Sequence, residues 1–221
     1  MTLPALSLLE TRVLGVLVEK QRTVPDTYPL TLNALVAGCT QRTSRDPVID
    51  AGEADVQGAI DHLRQLSLVV ESSGGRVMRY SQNAARVLAI PTESVALLAT
   101  LLLRGPQTPG EIRINCERLH RFADISSVEA YLDELAQRSA GALVEELPRV
   151  AGSREARWMH LLSGPPPRPA PDTSASQGAN DAIGASEIAA LKHNVDALGR
   201  ELAEVKVTLA RVMDELGMKP G

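Results

Sequence analysis

Residues 7–80 read SLLETRVLGVLVEKQRTVPDTYPLTLNALVAGCTQRTSRDPVIDAGEADVQGAIDHLRQLSLVVESSGGRVMRY. Ser7 and Glu10 fit a capping box, the serine as N-cap and the glutamate three residues on reaching back. Leu6, Leu9, Val13 and Leu17 follow at helical spacing, so a first helix is expected to end near Lys20. Pro25 disfavours helical geometry at Val24 and breaks it. Pro29 suits the first turn of a second helix, running to about Ala37 with Gly38 as terminator. Thr40 to Asp46 is a polar loop closed by Pro47. Asp50 and Glu53 form a second cap-and-box pair. Val56, Ala59, Ile60 and Leu63 then mark the inner face of a third helix.

Leu68-Val69-Val70 is a β-rich run, Ser72 to Gly75 a turn, and Arg76 to Tyr80 a return strand. Three helices followed by a hairpin is the order of a winged helix-turn-helix, the hairpin being the wing.

A shorter version recurs. Thr92 to Leu103 is another apolar helix. Leu97 falls on Val13, Leu98 on Leu14, Leu101 on Leu17 and Arg104 on Lys20, and the same offset brings Pro109 onto Pro25. Thr108, Pro109 and Glu111 make a strong helix start. Ser126 and Glu129 open a further helix with the face Val128, Tyr131, Leu132 and Leu135. Leu143-Val144 and residues 157–162 frame a turn at Ala151-Gly152-Ser153. The fold class expected is mainly α with small β-hairpins: two tandem winged helix-turn-helix domains plus a C-terminal coiled-coil helix.

The expected boundaries are 1–90 and 91–163 for the two domains. Residues 164–186, rich in Pro, Ala, Ser and Gly, read as a flexible linker. Residues 187–217 read as a coiled coil. Its seam is Ile188, Leu191, Val195, Leu198, Leu202, Val205, Leu209, Val212 and Leu216, alternating steps of three and four over a helix of roughly 45 Å. Glu187 and Glu201 at g face Lys192 and Lys206 at e, which favours a parallel homodimer. The other reading packs this helix back on its own domains.

Several strings resemble the YceH-like bacterial proteins, a family of unknown function. They are Glu10 to Gly15, Glu19 to Gln21, Thr23 to Leu30, Gln41 to Val48, Thr100 to Glu111 and Arg154 to His160. The resemblance covers roughly residues 6–162 and implies tandem winged helices. It implies no catalytic residue.

Apolar residues are 44% of the chain and aromatics 2%, so the cores are aliphatic and few rings can stack on unpaired bases. The net charge of −4 argues against a protein that coats DNA nonspecifically. Two cysteines, no signal segment and no apolar run of spanning length suit a cytoplasmic protein without a membrane partner. One disulfide in an exported chain is the alternative.

For double-stranded DNA, the candidate contacts are Gln57, His62 and Arg64 on the third helix, Arg42 and Arg45 before it, and Arg76 and Arg79 at the wing. Glu53, Asp55 and Asp61 on the same helix oppose phosphate. In the second unit Glu129, Asp133 and Glu134 face outward, offset by Arg138, which suits a protein partner better. Its wing carries Arg154 and Arg157. Cys116 and His120, four apart, are close enough to share a helix face, but two ligands make no zinc site. No phosphate-cradling loop, nucleophile elbow or paired-histidine motif occurs. A non-enzymatic protein without cofactor or metal is expected. The expected function is that of a dimeric DNA-associated regulator, the alternative being an interaction scaffold that does not bind DNA directly.

Overall fold

The computed structural model describes residues 4–73, 77–149 and 155–165. The linker and the whole heptad seam, Ile188 to Leu216, lie outside the described residues, as do Arg76, Arg154 and the turn at 151–153.

Among the described residues the chain is mainly helical with two small antiparallel hairpins. In order it forms α1 (Leu8–Thr23), a 3-10 turn (Pro25–Thr27), α2 (Leu32–Cys39) and α3 (Glu53–Gln65). β1 (Val69–Ser73) and β2 (Met78–Gln82) then pair, followed by α4 (Ala84–Leu88). The second half has α5 (Thr92–Arg104), α6 (Pro109–Cys116), α7 (Ile125–Ala136) and the pair β3 (Val144–Glu146) and β4 (Trp158–His160).

The capping boxes at Ser7/Glu10 and Thr108/Glu111 form as expected. Other boundaries shift for physical reasons. α2 starts at Leu32, not Pro29, because Leu30 is held extended in a bridge to Tyr80, with N–H to carbonyl distances of 3.0 and 2.8 Å. Thr31 then caps the helix by accepting from the Ala34 N–H. Gly38 does not terminate α2. It lies inside the helix, where it lets α2 close on Val16 of α1. α3 is capped at Gly52, whose N–H donates to the Asp55 carboxylate at 2.9 Å. Glu53 is its first residue and cannot reach back. α7 is capped by Asp124 and Ser127 rather than Ser126 and Glu129.

Pro109 therefore does not correspond to Pro25. Pro25 opens the 3-10 turn, while Pro109 opens α6, the counterpart of α2. The later elements correspond residue by residue. Gly52 falls on Asp124, Asp55 on Ser127, Val56 on Val128, Ile60 on Leu132 and Leu63 on Leu135. In the hairpins Glu71 stands opposite Tyr80, and Glu146 opposite Trp158. Each aromatic also bridges to the residue leading into the second helix of its half, Leu30 or Gln107.

The two halves share one aliphatic core. α1 and α5 pack along each other, and Val13, Leu14, Leu17, Leu97, Leu98 and Leu101 are all sealed from solvent. A Cβ on Gly15 would sit 2.9 Å from the Leu103 side chain, so the absence of one sets how closely the two helices approach. Both halves present their third helix and hairpin outward around that helix pair.

Candidate nucleic-acid interface

The α3 inner face, Val56, Ala59, Ile60 and Leu63, is buried, which turns Asp55, Gly58, Asp61, Arg64 and Gln65 to solvent. The polar side chains expected to read bases are mostly engaged within the protein. Gln57 accepts from the Tyr80 hydroxyl at 3.2 Å and donates to Asp61 at 3.0 Å. Arg64 pairs with Asp61 at 3.3 Å and with Glu71 of β1. His62 Nδ1 lies 2.6 Å from Glu10 of α1. Burial pushes the Glu10 carboxyl up. The bonds from Ser7 and His62, with the histidine's charge, outweigh that and hold it below its usual value.

Two of the expected rim arginines are structural. Arg45 is not on the surface: its side chain is fully buried. Its guanidinium donates to both oxygens of Glu19, at 2.7 and 3.2 Å, and to the carbonyls of Gly38 and Ser44. Arg79 is half-buried and donates to the carbonyls of Thr27 and Pro29, pinning the first hairpin to the turn before α2. Arg76 lies outside the described residues. Arg42 alone of the set is exposed and without a partner among the described residues.

The loop carrying Arg42 and Arg45 is a joint between the halves. The Asp46 N–H donates to the Leu103 carbonyl at 2.8 Å, and Arg104 of α5 donates to Ser44 at 2.7 Å. Arg12 of α1, fully buried, donates to the carbonyls of Cys39 and Pro47, while its Nε finds no partner. A cationic loop in the sequence is thus largely an internal clamp.

In the second half Arg138 is also an anchor, donating to the carbonyls of Leu88 and Gly141. Arg157 pairs with Glu111 at 3.0 Å and donates to the Pro106 carbonyl. Sequence reasoning passed over two features here. Arg113, Arg118 and Arg121, on α6 and the turn after it, are exposed and unpaired among the described residues. Between α7 and the second hairpin lies a groove of about 340 Å³ lined by Ile125, Glu129, Asp133, Glu146 and Trp158, among others. The spacing Ile125, Glu129, Asp133 was the available signal, since steps of four keep one helix face.

Cys116 and His120 do not form a ligand pair on a helix. α6 ends at Cys116, and the His120 ring stacks edge-on against Phe122 at 4.6 Å. Both cysteines are free and buried, and burial pushes the Cys39 thiol up to about 12. Among the described residues no three His, Cys, Asp or Glu side chains gather as a metal site. No described helix is long and apolar enough to cross a membrane.

Residues 6–153 match the family described as "Protein of unknown function, DUF480". The chain is 58% identical over 206 residues to a UPF0502 protein of Dechloromonas aromatica, covering 93% of this chain and 95% of that one. It is 56% identical over 214 residues to a UPF0502 protein of Burkholderia pseudomallei (strain 668), covering 96% and 90%. A UPF0502 protein of Burkholderia thailandensis is 56% identical over 215 residues, covering 97% and 90%. The chain belongs to the DUF480 family, in keeping with the YceH-like strings of its sequence.

Proposed function

We propose that this protein is a non-enzymatic interaction scaffold: two winged-helix units joined into one body, dimerised through the C-terminal heptad seam. The observation that carries this reading is the state of the α3 face. Its base-reading side chains are tied to partners within the chain, and Glu53 and Asp55 remain exposed beside them. Phosphates approaching that face meet uncompensated carboxylates, whereas a protein partner can supply the missing cations. Winged helices serve protein recognition as readily as DNA recognition, so the site decides rather than the fold.

The test is binding of labelled duplex DNA by the full chain at low salt, followed by anisotropy, alongside crosslinking in the native cytoplasm. Crosslinks to a second protein with no saturable duplex binding support the scaffold. Saturable duplex binding that weakens with salt and on Arg42→Glu overturns it.

A second reading has its own observation. Arg42, Arg113, Arg118 and Arg121 are exposed cations with no hydrogen bond or ion pair among the described residues. They suit sequence-independent contact with a phosphate backbone, in which a DNA-associated dimer holds duplex without reading it from α3. Reversing Arg113, Arg118 and Arg121 together distinguishes it, since only that reading expects duplex binding to fall.

A further inference from the structure

The internal repeat supplies its own template for a missing group. In the first half, Tyr80 bonds Gln57, Gln57 bonds Asp61, and Arg64 bridges Asp61 on the helix to Glu71 on the strand. The chain of contacts is closed by side chains of the protein itself. In the second half the corresponding positions are Trp158, Glu129, Asp133 and Glu146, and Ala136 stands where the first half has Arg64. The two carboxylates that an arginine clamps in one half are present in the other without their cation. Glu129, Asp133 and Glu146 have no ion pair or side-chain hydrogen bond among the described residues.

These carboxylates line a groove of about 340 Å³ together with the buried Trp158 and the exposed Ile125. Trp158 shares a hairpin face with Glu146 because the two stand directly opposite in the β3–β4 pair. Arg149 also lines the groove, and among the described residues it makes no ion pair or hydrogen bond.

We infer that this groove binds an arginine-bearing segment of a partner protein, with the guanidinium seated between Asp133 and Glu146 where Arg64 sits in the first half. The inference rests on the scaffold reading and names the site and chemistry it would use. A guanidinium is the right group because its planar fork reaches two carboxylates at once, and its flat face suits an indole wall. Duplex DNA is excluded here by the same carboxylates.

The chain contains a single tryptophan, and it lines the groove. Titrating the full-length protein with an acetylated, amidated hexa-arginine peptide at low salt therefore reads the site through Trp158 emission. Saturable binding is expected. It should weaken about tenfold or more when Asp133→Asn and Glu146→Gln are combined, and equally with Ala136→Arg, which supplies the clamp internally. Arg149→Glu should tighten it. Asp133, Glu146 and Arg149 are exposed or half-buried, so their variants read the site even where Ala136→Arg impairs folding. An unsaturable titration, or affinity unchanged in the Asp133→Asn/Glu146→Gln variant, overturns the inference. So does a fall in native mass with Ala136→Arg, because a second copy would then be the occupant. Crosslinks to a partner that survive Ala136→Arg remove the groove and leave the scaffold standing. Peptide binding with the expected losses, but no partner crosslinked, supports the groove and counts against the scaffold.

Discussion

Arg45 and Glu19 form a two-pronged ion pair, Nη2 to Oε2 at 2.7 Å and Nη1 to Oε1 at 3.2 Å, with the arginine side chain wholly removed from solvent. The pair ties the α2–α3 loop to α1, and that loop in turn holds α5 through Asp46 and Ser44. Deleting either partner strands the other charge in the interior. Glu19→Ala and Arg45→Ala are each expected to cost about 3–5 kcal/mol in unfolding free energy. The double variant should cost much less than the sum. Urea titrations of the four proteins check this, and additive losses would show that the pair is not coupled.

Stability should fall in two pH windows as the solution is acidified. Burial lowers the His160 imidazole from its usual 6.5 to about 4, and its Nδ1 has no partner. The unfolded chain therefore binds a proton that the folded chain refuses, so stability falls as pH drops from about 6.5 towards 4. Burial pushes the Glu19 carboxyl up, but Arg45 bonding and charge, aided by Lys20, outweigh this and hold it below 4.5. Its contribution is intact above that value and is lost as pH falls through the lower folded value. His160→Gln should flatten the first window, and Glu19→Gln should shrink the second, to which Glu10 also contributes, measured as Tm against pH.

Three glycines separate packing from propensity. Gly58 sits exposed in α3 with nothing within 4 Å of an added Cβ, so Gly58→Ala should stabilise by about 0.5–1 kcal/mol. At Gly38 the same methyl would lie 2.6 Å from Val16 Cγ1, and at Gly15 it would lie 2.9 Å from Leu103. There alanine should destabilise by about 1–3 kcal/mol despite its better helix propensity. Adding Val16→Ala should relieve the Gly38→Ala clash but not that of Gly15→Ala. Thermal melts of the six proteins decide it.

What the sequence reveals follows the range of the interaction. The inner face of α3 was legible because Val56, Ala59, Ile60 and Leu63 encode burial locally. The Ser7 and Thr108 capping boxes were legible because both partners lie within one turn. The start of α2 was not, because Leu30 is claimed by Tyr80, half a domain away. Arg45 looked like a surface cation because its partner Glu19 lies on another helix. The groove was hidden for a further reason. The contrast between Arg64 and Ala136 carries meaning only once α3 and α7 are matched, and each strand glutamate is placed opposite its aromatic.

The heptad seam from Ile188 to Leu216 makes the last prediction. A stripe only two positions wide buries little against a folded body but closes fully against a copy of itself. Charges at Glu187, Lys192, Glu201 and Lys206 favour parallel partners, though exposed pairs are worth only tenths of a kcal/mol each. In such a dimer the aliphatic seam would have to supply the affinity. Sedimentation of the full chain should give a dimer, and a chain ending before Ser186 should give a monomer. Leu198→Lys with Leu202→Lys should do the same without truncation, since charge at the centre of the seam cannot be buried unpaired. A mass unchanged by either alteration rules out the seam as the dimer contact. A monomeric full chain would favour the other reading, in which residues 187–217 pack on the chain's own domains.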